Sequence, residues 1–237
     1  MKPMFSYFGS KYKLAKHYGE PRHDLVIEPF AGSAAYSLFW EPKKVILIDK
    51  NPVIVSIWNY LINATEKDIF DLPNDFEVIA DCGLEYGAEN LIGFWAAKGK
   101  VTPARTKSKW GKQYSSSPDC KVWGDAVKNR IVSQLEKIRG WQCHEGYYDL
   151  IPNQIAHWFI DPPYQVAGKR YPHQVDNYKN LADWSRSRLG FVQFCENEGA
   201  DYLPFEPFRS VNTYHHMKDN GVRVARYTHE VIYQQGE

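Results

Sequence analysis

The chain has 237 residues, a formal net charge of +1 and 43% hydrophobic residues, which suits one domain, or one domain with a sizeable insertion. No apolar run reaches the ~18 residues of a membrane span, the opening MKPMFSYFGSKYKLAK lacks a signal-peptide core, and the four cysteines form no CxxC pair. A membrane protein, an exported protein and a zinc protein are therefore not expected, whereas a cytoplasmic chain with reduced thiols is; near-zero charge leaves nucleic acid open, because clustering decides.

The N-terminal third alternates. DLVIEPF (24–30) is a short apolar run that ends at a proline, and SAAYSLFWE (33–41) reads as a helix with Ser33 as its N-cap. KVILIDKN (44–51) is a second apolar run, closed by Asp49; PVIVSIWNYLINA (52–64) follows as a helix with Pro52 in its first turn. Strand, helix, strand, helix at this spacing predicts an α/β protein with a parallel sheet and helices on its faces.

The middle differs. From Asn90 to Pro118 there is no acidic residue, while Lys98, Lys100, Arg105, Lys107, Lys109 and Lys112 are interleaved with Trp95, Trp110 and Tyr114. Residues 81–123 read as an inserted module or long loop, suited to phosphate and base contacts or simply solvated. In GDAVKNRIVSQLEKIRGW (124–141), Val127, Ile131, Leu135 and Ile138 form one apolar helical face. QIAHWFIDPPY (154–164) and GFVQFCEN (190–197) are two further buried strands, and FRSVNTYHH (208–216) with THEVIYQQ (228–235) forms a terminal hairpin.

Ligands of an open parallel sheet sit outside the carboxyl ends of its strands. Three such ends carry suggestive residues: Glu28-Pro29-Phe30-Ala31-Gly32, Asp49, and Asp161-Pro162-Pro163-Tyr164. Gly32 permits close backbone approach, but neither GxGxxG nor GK[ST] is present, so a nucleoside without phosphates fits better than a nucleotide. Asp49 can accept both hydroxyls of a ribose; its alternative is a helix cap, a task Asn51 can fill. In DPPY, an aspartate and the carbonyl of Pro162 can accept both N–H groups of an aromatic amine. That would turn its delocalised nitrogen toward tetrahedral geometry, while Tyr164 offers a ring for stacking. The plain alternative is a rigid strand-to-loop turn.

Together these residues resemble the Dam-type (alpha-class, D12) DNA adenine-N6 methyltransferases. SYFGSK (6–11) is similar to that family's N-terminal block, IEPFAGSAA (27–35) to its methionine-side loop, LIDKN (47–51) to its ribose block, HEGYYD (144–149) to a segment near the cofactor adenine, and DPPY (161–164) to its catalytic block. The resemblance implies a Rossmann-like, seven-stranded, mostly parallel sheet with a terminal antiparallel hairpin. It implies a catalytic domain over 1–80 and 124–237, with a small inserted target-recognition region over 81–123. It implies S-adenosyl-L-methionine as cofactor, held by Tyr7, Lys11, Glu28, Pro29, Phe30, Gly32, Ser33, Asp49 and Asp161. Catalysis would fall to Asp161, Pro162, Pro163 and Tyr164. Ala34 stands where many relatives carry a further glycine, and Cys195-Glu196-Asn197 has no counterpart with a role.

The expected reaction is site-specific methylation of adenine N6 in double-stranded DNA, after extrusion of the base at a cost of a few kcal/mol. Lys98, Lys100, Arg105, Lys107, Lys109, Lys112, Lys169 and Arg170 are the expected DNA contacts, with QVAGKRYPHQ (165–174) closing over the extruded base. No metal is expected, nor more than a monomer or weak dimer, in a bacterial cell or phage-infected host. The rivals are methylation of RNA, of a protein amide or of cytosine N4, and a nucleic-acid-binding relative without activity.

Overall fold

The computed structural model of the chain describes residues 1–107, 122–213, 218–219, 222–223 and 226–236, with the backbone alone at 211–213, 218–219, 222–223 and 226. Lys109, Trp110, Lys112 and Tyr114 lie outside the described residues.

Among the described residues nine strands are formed: β1 (Leu25–Glu28), β2 (Lys44–Asp49), β3 (Gln142–Glu145), β4 (Ala156–Ile160), β5 (Gly190–Asn197), β6 (Glu206–Thr213), β7 (Lys218–Asp219), β8 (Val222–Arg223) and β9 (Arg226–Gln235). Seven make one sheet in the order β3-β2-β1-β4-β5-β9-β6, and β7 with β8 forms a small ladder of its own. β1 to β5 are parallel; β9 runs antiparallel to both β5 and β6. The chain order reverses on either side of β1, so the topological switch point, where such sheets bind ligands, lies between β1 and β4. Every residue of β4 is buried, as expected of a strand covered on both faces.

Six helices are described: α1 (Ala35–Trp40), α2 (Pro52–Asn63), α3 (Glu66–Phe70), α4 (Tyr86–Ala96), α5 (Asp125–Val132) and α6 (Tyr178–Arg186). Side chains alternate along a strand, so each strand feeds two cores. Val45 and Leu47 pack with α2, α4 and α5, and Val26 and Phe159 pack with Tyr18 and Tyr36 on that side. Ile27, Ile48, Trp158 and Phe194 face the other side, against Leu181 and Ala182 of α6. Among the described residues, no helix is long and apolar enough to cross a membrane.

Three local expectations change. Ser33 does not cap α1: Ala34 is the cap, at φ 45°, and Ser33 Oγ instead donates to Ser10 Oγ at 2.8 Å. The helix expected over 124–141 breaks into α5 and a 3₁₀ turn at Leu135–Ile138. The break comes where Ser133 Oγ and Gln134 Nε2 both donate to the Arg130 carbonyl, each at 2.9 Å; such side-chain bonds compete with continued helix. Val127, Ile131, Leu135 and Ile138 stay buried on one side regardless. Finally, α4, inside the stretch expected to lie apart from the core, packs on it. Leu91, Ile92, Phe94 and Trp95 are buried with Trp58 of α2, and a Cβ on Gly87 would lie 2.3 Å from the Ser56 carbonyl oxygen.

Trp58 links this core to the loop after β1, because its indole N–H donates to the Gly32 carbonyl at 2.9 Å. Trp58→Phe keeps an aromatic ring but leaves that carbonyl without its donor. The expected cost is about 1–3 kcal/mol, read as a lower denaturant midpoint with an unchanged slope.

Candidate active site

Three backbone bonds fix the loop between β1 and α1. Ala31 N–H donates to the Ile48 carbonyl, Gly32 N–H to Asp49 Oδ2, and Trp58 to the Gly32 carbonyl, all at 2.9 Å. Gly32 has φ +44°, and a Cβ there would sit 3.3 Å from two ring carbons of Tyr7. Turn and close approach both select glycine. The other Asp49 oxygen accepts from Asn51 N–H at 2.8 Å, and Asn51 caps α2 by accepting from Val53 N–H at 3.1 Å. Glu28, buried at the end of β1, accepts from Ser37 N–H at 2.9 Å.

DPPY follows β4 directly. Lys11 Nζ lies 3.5 Å from both Asp161 Oδ1 and Glu230 Oε1, and 4.4 Å from the centroid of the Tyr164 ring. The Tyr164 hydroxyl donates to Glu230 Oε2 at 2.7 Å. Burial works against the Lys11 charge, but Asp161 and Glu230 outweigh it and hold the ammonium well above its ordinary range. The turn is pinned from below by Glu196. Its carboxylate accepts from Gln165 N–H at 3.0 Å, Tyr202 Oη at 2.7 Å and Asn197 N–H at 2.8 Å. The loop then folds back so tightly that a Cβ on Gly168 would meet the Pro163 carbonyl carbon at 2.7 Å.

These elements line a narrow cleft, with a cavity volume of about 80 Å³ in this structure. Tyr7, Lys11, Glu28, Phe30, Gly32, Ser33, Asp49, Asp161 and Pro163 line it. Pro29 and Phe30 line an adjoining pocket with Lys50, Tyr147 and Tyr148. Pro162 and Tyr164 do not line the main cleft. The Tyr164 ring is buried and lies beneath the Lys11 ammonium, so the open stacking face read from the sequence is not offered in this arrangement.

Tyr171, His173 and Gln174 also line the cleft, so the loop expected to cover an extruded base covers this cavity. Tyr171 Oη donates to the Phe8 carbonyl at 3.3 Å. Gly9, at φ +74°, leaves room for it: a Cβ there would lie 2.1 Å from that hydroxyl oxygen. No periodicity marks these residues. Glu230 was also missed, since it sits mid-strand in β9, a place sequence reading treats as structural.

The expected DNA contacts divide. Lys107 is corrected: it is buried, and its ammonium is held by the Asn74 carbonyl at 2.7 Å and by Asp75 at 3.1 Å. Arg105 is paired with Glu89. Lys98, Lys100, Lys169 and Arg170 are exposed. Two separate segments carry them to the N-terminal block: the Lys100 carbonyl accepts from Phe8 N–H at 3.1 Å, and the Arg170 guanidinium lies 5.5 Å from the Phe8 ring centroid.

Electrostatically the cleft is acidic. Burial pushes Glu28 up to about 7 and Asp49 and Asp161 each up to about 6; the backbone donors on Asp49 and the Lys11 charge beside Asp161 only partly offset this. Lys11 and Lys50 share the cleft wall with these three carboxyls, and Lys11 is the one that lies against Asp161. Because the folded carboxyls hold protons that an unfolded chain releases near pH 4, stability is expected to fall as pH rises from about 4 to 7. Denaturant unfolding over a pH series checks this, and Glu28→Gln or Asp49→Asn should flatten the decline.

No curated protein matches the chain. Two solved structures align over most of it: "Putative methyltransferase yhhF from Escherichia coli" at 10% identity and TM-score 0.37, covering 95% of this chain and 81% of that one, and a conserved hypothetical protein of Streptococcus pyogenes at 9% and 0.34, covering 94% and 91%. The fold rests on the sheet order above, not on these likenesses. Residues 7–81 match the model of the D12 class N6 adenine-specific DNA methyltransferase family. That supports an S-adenosyl-L-methionine-dependent methyltransferase, and the matched stretch is the one that supplies Tyr7, Lys11, Glu28, Gly32 and Asp49 to the cleft. The family that the FGSK, EPFAG and LIDKN blocks resemble is thus the family whose model the chain matches over residues 7–81.

Proposed function

We propose that the protein transfers a methyl group from S-adenosyl-L-methionine to the N6 amine of adenine in double-stranded DNA, with the target base turned out of the helix. The observation that carries this reading is the convergence of Glu28, Asp49 and Asp161 on one acidic cleft, with DPPY at its edge. The cleft suits a nucleoside that bears a positive charge and no phosphate. Its acids stand at the strand ends, and the Gly32 N–H that could cradle a phosphate is already taken by Asp49. Asp49 is the ribose acceptor, Glu28 and Asp161 provide the negative field, and Tyr171, His173 and Gln174 exclude water from above.

The cofactor supplies an electrophilic methyl group on a sulfonium. Asp161 and the Pro162 carbonyl accept the two N–H groups of the target amine and bring its lone pair out of conjugation. Transfer of that methyl would place a positive charge on the amine, beside the Asp161 carboxylate. A proton then leaves the amine to Asp161 and onward to water. Lys98, Lys100, Lys169 and Arg170, gathered beside Phe8, hold the DNA backbone.

The reading is tested by expressing the protein in cells without adenine methylation and sequencing their DNA with modification calls. Modified adenine in one fixed context is expected; modified cytosine, or no modified DNA, would count against it. Asp161→Ala should lose transfer by at least about a hundredfold, and full transfer in that variant would exclude the mechanism. In a separate measurement, combining Lys100→Glu with Arg170→Glu should weaken DNA binding across all sequences. The plot of log affinity against log salt should become shallower by about two.

A further inference from the structure

We infer that Glu230 is a positioning residue of the methyl-transfer site: it shares Lys11 with Asp161 and so gives the Asp161–Lys11–Glu230 cluster a net negative charge. This rests on the methyltransferase reading. The geometry is that of two carboxylates and one ammonium. Lys11 Nζ is 3.5 Å from each acid, and both Lys11 and Glu230 are buried. Lys11 with Asp161 alone would be a neutral pair at the point where the amine must gain positive charge. With Glu230 the cluster carries one net negative charge, in surroundings where that charge is weakly screened. The charge favours the sulfonium before transfer and the methylated amine after it. Glu230 also holds the Tyr164 hydroxyl at 2.7 Å, so the side chain that sets the charge also fixes the fourth residue of DPPY.

Glu230 can do this because β9 is antiparallel. Glu230 pairs with Asn197 at the end of β5 and lies two residues from Ile232, which pairs with Cys195. Residues two apart share a face, so Glu230 points to the side of Tyr18, Tyr36 and Phe159, where Ile232 is buried, at the level where the parallel strands end.

Other groups also face Asp161. Lys11 comes from the N-terminal block, Glu28 from β1 and Cys195 from β5, Tyr164 and Tyr171 from the turn and its loop, and Tyr18 from the segment before β1; Glu196, on the opposite face of β5, acts on Asp161 only at longer range. The hydroxyls and the thiol are pushed up by burial and stay neutral. Burial likewise pushes Glu28 and Glu196 up, and neither has Glu230's contact with Lys11.

The test is Glu230→Gln. A glutamine can still accept the Tyr164 hydroxyl, so a purely structural role would survive the change. The first readout needs no activity: titration of ¹³C-labelled aspartate in the full chain, with Asp161 assigned by Asp161→Asn. The Asp161 midpoint should fall in Glu230→Gln, because a neighbouring negative charge is gone; an unchanged midpoint overturns the inference. The second readout is transfer to adenine-containing DNA. In Glu230→Gln, kcat should fall about tenfold or more, KM for DNA should hold within about twofold, and the acid limb of the pH profile should move down. Wild-type kcat in a folded Glu230→Gln overturns the inference and leaves the function standing. If wild type itself transfers nothing, the proposed function fails and the titration alone decides whether Glu230 and Asp161 are coupled.

Discussion

Three carboxylates lie at the ends of neighbouring strands on one face of the sheet, and the rest of the site is arranged around the cost of putting them there. A buried acid without partners reverts to its neutral form. Each is therefore tied to backbone or to Lys11: Glu28 to the first turns of α1, Asp49 to Gly32 and Asn51, Asp161 to the lysine. The groups that would read a ligand thus also hold the loops that form its walls. Emptying or neutralising any of them affects shape as well as charge.

The same economy governs the far side of the cleft. Glu196 is fully buried in β5, yet it stabilises the chain just past DPPY by accepting from Gln165 N–H. With Gly168 pressed against Pro163, the turn has little freedom, and Asp161 is aimed by backbone rather than by its own rotamer alone. Preorganisation of this kind would suit the proposed task of holding an amine in place for attack.

Much of this was readable in the chain. Apolar runs ending in Glu28, Asp49 and Asp161 give strands whose ends carry acids, and period-two alternation puts those acids on one face. What could not be read has physical causes. Ser33 looked like a helix cap, but the left-handed turns at Gly32 and Ala34 moved the cap by one residue. Trp95 belongs to a run without acidic residues and looked like recognition surface, yet it is buried on the core. Lys107 looked solvated, but Asn74 and Asp75, far away in sequence, claim it. Tyr171, His173 and Gln174 carry no local pattern that marks a cleft wall, and Glu230 none that marks a partner of Lys11, because tertiary folding alone brings them there. Charge and aromatic content show what a residue can do, and the partners that use it are set by the fold.

β9 has a consequence for assembly. It lies between β5 and β6, both of which precede it in the chain, and β6 joins the sheet through it. Every pairing of β9 with β5 spans at least ~30 residues, and closures of that kind are slow compared with local helix formation. Until that strand is seated, Tyr164 has no acceptor and Lys11 has only one acid. A chain at that stage can hold much of its cofactor cleft and still lack the charge balance of the finished site. Competence would then arrive last and all at once, as a property of the closed sheet rather than of any motif within it.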